Sequence, residues 1–140
     1  AGCELNSSLI ARVRLNQFFN KAKDGSYFHT LNYQEQAYTK KRVLDYFELS
    51  DTDRRSPQIQ ATWFLLSGSV GREISSRWLR AALFGRAMLD DSSNIESLEF
   101  KGHRYDQSLL SCAAKSMKIQ PNINPMRMLK ACPPTSFTKA

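Results

Sequence analysis

Gln58-Ile59-Gln60-Ala61-Thr62-Trp63-Phe64-Leu65-Leu66 begins by alternating polar and apolar side chains and ends as an unbroken apolar run. A strand covered on both faces has this appearance, as in sheets that carry helices on each side. Ser67 to Gly71 carries turn chemistry. Beyond it, Ile74, Trp78, Ala81 and Ala82 recur on one side of a helix predicted over about residues 72–86, with Glu73, Arg77 and Arg80 on another. Ahead of the strand, Ser50 to Pro57 is polar, holds a proline and reads as a loop. The segment Thr39 to Phe47 reads as a helix with Thr39 as its cap and Val43, Leu44 and Phe47 facing inward.

The outer segments complete the pattern. Residues 15–22 place Leu15, Phe18, Phe19 and Ala22 at helical spacing, and Asp24-Gly25-Ser26 ends that stripe. Tyr27 to Leu31 is β-prone. The cleanest helical signal covers about residues 106–118, where Leu109, Leu110, Ala113, Ala114 and Met117 share a side. Few strands and several helices predict an α/β domain over residues 1–120. Pro121, Pro125, Pro133 and Pro134 make residues 121–140 an irregular tail.

Composition narrows the function classes. With 140 residues the chain holds one core, and 41% hydrophobic with 11% aromatic residues argues against disorder. No apolar run approaches the roughly 18 residues of a membrane-spanning helix. Cys3, Cys112 and Cys132 are odd in number and widely spaced, which suits neither a disulfide framework nor a zinc site. Free thiols and the lack of a signal-like start lead us to expect a cytoplasmic protein. The net charge of +7 attracts polyanions, yet it is spread along the chain, as on a solvated surface. Two histidines exclude a multi-histidine metal site, and no nucleophile-elbow, P-loop or dinucleotide-binding pattern is present.

Three constellations are candidate binding elements. His103-Arg104-Tyr105-Asp106-Gln107-Ser108 stands directly ahead of the strongest amphipathic helix, where unpaired N–H groups and the helix dipole favour anions. There Asp106 and Gln107 suit sugar hydroxyls, and His103 or Arg104 suits a phosphate or metal. The plainer reading makes Asp106 a cap or first-turn acid. Gln58 and Gln60 fall on one side of the predicted strand, either reading substrate hydroxyls or simply opening the strand. Tyr38-Thr39-Lys40-Lys41-Arg42 offers Lys40 to phosphates, or is a solvated first turn.

Several of these segments, in this order, resemble a glycosyltransferase-like family with the nucleotide-diphospho-sugar transferase (GT-A) fold. The opening Ala1-Gly2-Cys3-Glu4-Leu5-Asn6 looks like the stretch after an aspartate that ends a central strand. Tyr38-Thr39-Lys40, Pro57-Gln58-Ile59-Gln60-Ala61, Trp78-Leu79 and His103 to Ser108 look like later landmarks of the family, with Tyr105 where a second histidine is expected. The resemblance spans about residues 1–120. It implies a nucleotide-sugar donor, a hydroxyl acceptor, a divalent metal (Mn or Mg), and Asp106 and Gln107 beside the donor sugar as catalytic residues. His103, Arg104, Gln58, Gln60 and Lys40 would line the substrate. The metal-binding aspartate would precede Ala1, so the expectation is the C-terminal part of such a domain, a fragment or degenerate member. The alternative is a basic nucleic-acid-binding or protein-interaction module without catalysis; no specific nucleic-acid motif supports it.

Overall fold

The helix Tyr105–Ser116 is buried along eight successive residues, Ser108 to Lys115, so neighbours cover that stretch on every side. A helix in that position is the centre of its domain. The computed structural model describes residues 22, 26–62, 64–89, 96–119 and 121, and it is a mixed α/β arrangement. The predicted helix over 15–22 (Ala22 apart), Cys3, Cys132 and nearly all of the tail lie outside the described residues.

In chain order the described elements are β1 Ser26–Tyr27, β2 Thr30–Gln34, α1 Glu35–Tyr38, α2 Lys41–Tyr46, α3 Asp51–Arg55, β3 Pro57–Ile59, β4 Leu65–Leu66, α4 Gly68–Leu89 and α5 Tyr105–Ser116. Two separate two-stranded antiparallel sheets form, β1 with β4 and β2 with β3. The predicted continuous strand over 58–66 is therefore corrected: it is two short strands in different sheets. The apolar character was read rightly, since Ile59 is fully buried and Phe64 and Leu66 pack on the core. Between them Gln60 donates its backbone N–H to His29 O at 2.9 Å and the chain turns away from β2.

Other boundaries also move. Thr39 does not cap α2; it follows α1 as a buried residue, and Lys40 takes the cap position without a side-chain cap bond. The stretch Ser50 to Pro57 is not wholly a loop. Ser50 Oγ accepts from Asp53 N at 3.2 Å, and α3 carries acids in its first turn and Arg54 and Arg55 in its last, matching its dipole. Pro57 opens β3, where its missing N–H costs no internal ladder bond. The predicted turn at Ser67 to Gly71 already belongs to α4 from Gly68 onward. Gly68, at φ +63°, makes the left-handed step that lets β4 run straight into the helix.

The core joins α5 to α4, α2 and the strands: Phe28, Val43, Leu44, Phe47, Ile59, Ile74, Ala81, Leu109, Leu110, Cys112, Ala113 and Ala114. Phe28 stacks on Phe64 at 6.3 Å between centroids, and Phe64 meets Trp78 edge-on at 5.8 Å. Of the residues assigned to the inward side of α4, Ala82 is exposed, as are Leu79, Leu83 and Phe84. Burial pushes the Cys112 thiol well above its usual range, so this buried cysteine is an inert core residue.

Candidate functional site

Four-residue α1 ends with carbonyl groups that have no partner inside so short a helix. The strand of chain leading to α5 supplies them. Lys101 N donates to Ala37 O at 2.8 Å and Arg104 N to Tyr38 O at 3.1 Å. Ser108 Oγ donates to the same Tyr38 carbonyl at 2.8 Å. In return Lys40 N donates to His103 Nδ1 at 3.2 Å. Tyr38 to Lys40 and His103 to Ser108, far apart in sequence, are thereby held side by side, with Thr39 and Ser108 buried between them and Arg104, Tyr105 and Asp106 exposed.

Arg104 is the most organised exposed group there. Its guanidinium carbon lies 4.6 Å from the Tyr33 ring centroid and 4.5 Å from that of Tyr38. Its Nη1 also bonds the Tyr33 hydroxyl. Two cation–π faces hold the planar fork in place before anything binds, each contributing on the order of 0.5–1 kcal/mol at an exposed site.

His103 sits against the Tyr105 ring at 5.4 Å, edge to face. Its Nδ1 is an acceptor, so the neutral ring carries its proton on Nε2. That Nε2–H is buried and has no partner among the described residues. An unpaired buried donor costs about 1–3 kcal/mol, so a ligand acceptor at that point would be rewarded. Burial first, and the nearby Lys40 charge second, lower the His103 pKa from 6.5 to about 4. Burial lowers that of His29 to about 4 as well.

These two shifts set a pH dependence. Both folded pKa values lie below the unfolded value, so their stability contribution is complete above pH 6.5 and is lost as pH falls toward 4. Asp45 and Asp53 act lower. Burial alone would raise their pKa, but hydrogen bonds from Lys41 and Arg54, and from Lys118 and Ser50, hold them below 3.8. We expect the melting temperature at constant ionic strength to fall steadily between pH 6.5 and 4.5. A flat profile in that interval would contradict neutral, buried histidines.

Behind the surface lies a buried polar network. Lys115 Nζ meets Glu35 Oε2 at 2.9 Å and donates to Asp53 O and Ser56 O at 3.2 and 3.3 Å. Glu35 also accepts from Thr39 Oγ1 at 2.6 Å, from Gln58 Nε2 at 2.9 Å and from Ser111 Oγ. Gln107 Nε2 donates to Gln58 Oε1 at 2.7 Å, and Gln107 Oε1 accepts from Ala61 N at 3.5 Å.

The sequence-derived candidates thus separate. His103, Arg104 and Gln107 line one surface with the Lys40 backbone. Asp106 is exposed in the first turn of α5 with no bonded partner among the described residues; the N-cap is Arg104, without a side-chain cap bond. Gln58 is wholly buried with its amide occupied, and Gln60 lies past the end of β3, so the two do not share a strand face. Sequence reasoning missed Tyr33, Glu35, Ser111 and Lys115. The one available signal was Ser108, Ser111 and Lys115 at i, i+3 and i+7, a polar stripe along α5. Among the described residues no group of three or more His, Cys, Asp or Glu side chains is placed to hold a metal. No described helix is long and apolar enough to cross a membrane. No family model, no curated protein and no solved structure matches this chain.

Proposed function

We propose that the surface built from Tyr33, Tyr38 and His103 to Gln107 is the donor side of a nucleotide-sugar-dependent glycosyltransferase of GT-A type. The observation that carries the reading is Arg104, stacked on two tyrosines and held as a rigid fork beside the unpaired His103 Nε2–H. A diphosphate offers acceptors to the exposed Arg104 fork. Asp106 and Gln107, in the first turn of α5, suit the hydroxyls of a sugar carried by that diphosphate. Among the described residues a divalent metal would find only Asp106 and His103 at this surface, and these do not by themselves make a metal centre. Acceptor hydroxyl and metal-binding aspartate belong to the part of the site this surface does not supply.

The test is direct binding of UDP, UDP-glucose and UDP-galactose to the chain by calorimetry, with and without manganese. Arg104→Ala should weaken UDP binding roughly tenfold to a hundredfold, the worth of a charge-assisted bond. Arg104→Lys should recover little, because an ammonium does not reproduce the planar fork. Asp106→Asn should leave UDP affinity unchanged while weakening UDP-sugar binding. Equal UDP binding by parent and Arg104→Ala would remove the proposal, and salt-sensitive binding of single-stranded polynucleotide in its place would favour a basic binding module.

A further inference from the structure

Each hydroxyl in the buried network has one proton, and the geometry shows where each goes. Thr39 Oγ1 gives its proton to Glu35 Oε1, Ser108 Oγ to Tyr38 O, and Ser111 Oγ to Glu35 Oε2. Toward Gln58, therefore, Thr39 and Ser108 can only accept, at 3.1 and 3.3 Å, as can the Glu35 carboxylate at 2.9 Å. Three acceptors surround the Gln58 nitrogen. Its NH2 must face inward and its Oε1 outward, although the two ends of a glutamine amide look alike in shape. Oε1 then demands a donor, which fixes the Gln107 NH2 against it at 2.7 Å and turns Gln107 Oε1 toward Ala61 N.

We propose that Glu35 and Gln58 are positioning residues that set the orientation of the Gln107 carboxamide, so that Gln107 presents a predetermined donor and acceptor at the start of α5. The direction of the relay comes from one buried carboxylate. Glu35 cannot donate, Gln58 must, and Gln107 follows. Neither positioning residue reaches the surface: both are fully buried. Its bearing on sugar transfer rests on the function proposed above; the orientation itself does not.

The experiment uses the whole chain, labelled with 15N and 13C, and reads the glutamine side chains by nuclear magnetic resonance. A coupling across the hydrogen bond from Gln107 Nε2 to the Gln58 side-chain carbonyl carbon is expected. A coupling in the opposite sense, from Gln58 Nε2 to the Gln107 carbonyl carbon, overturns the proposal. In Gln58→Met, solvent exchange of the Gln107 amide protons should quicken roughly tenfold, the factor associated with losing one hydrogen bond. Unchanged exchange in that variant also overturns it. The measurement on the parent chain decides the matter if the variant does not fold. UDP titration of the same sample separates the two claims: silence there, with the coupling present, removes the transferase reading and leaves the positioning relay standing.

Discussion

Replacing Lys115 with Met should destabilise the protein by about 3–5 kcal/mol, as read from its urea unfolding midpoint. The reason is the charge left behind rather than the bond removed. Glu35 is fully buried, and Lys115 is the cation that compensates its carboxylate. Against a typical total of about 5–15 kcal/mol, that loss brings the chain near its unfolding threshold at room temperature. Glu35→Gln combined with Lys115→Met should cost clearly less than the two single changes added together, because the isolated charge is then gone. It should not return to parent stability, since Thr39, Gln58 and Ser111 still need an acceptor where the carboxylate stood. Additive single and double variants would show that the pair is not coupled.

Phe28→Ala should cost a similar amount, about 3–5 kcal/mol, by a different route. Phe28 is wholly buried in the short connection between β1 and β2, and its ring stacks on Phe64, which in turn meets Trp78 on α4. Removing it opens a cavity at the point where β1, β4 and α4 meet. Phe28→Leu, which keeps most of the volume but not the stacking, should lose markedly less. Tryptophan emission is the second readout, because Phe64 sits at the Trp78 ring. A Phe28→Ala protein that unfolds at the parent urea concentration would mean that this aromatic chain is not part of the core.

The contrast between these two residues explains what could be read from the sequence. Phe28, Ile59, Leu109 and Leu110 advertise burial through their own chemistry, and the spacing of Leu109, Leu110, Ala113 and Ala114 located α5 within two residues at either end. Glu35, Gln58 and Lys115 give the opposite signal. Each is polar and ordinarily exposed, and their burial depends on partners brought from three separate elements. The single strand over 58–66 fails for a related reason: its apolar run reads as one element, whereas Pro57–Ile59 pairs with β2 and Leu65–Leu66 with β1, a division that depends on distant partners. Helices α1 and α3 are four and five residues long, too short to show a period, and tertiary bonds such as Glu35 N to Ser56 O at 3.0 Å hold them. Of the candidate site, the polar hexad that opens α5 is visible in the sequence, but the Tyr33–Tyr38 cradle under Arg104 arises only when distant segments meet.

The enclosure of Ser108 to Lys115 within α5 has a kinetic consequence for whatever lodges at the helix start. Amides in a segment with no solvent-facing side exchange with deuterium through cooperative opening of the entire domain rather than through local fraying. His103 to Gln107 are thus tethered to the last unit to let go. An occupant bound at the hexad slows that slowest exchange class in proportion to its own affinity, by mass action on the native state. The deuterium uptake of Leu110 and Ala113, both fully buried, becomes a gauge of occupancy at the surface.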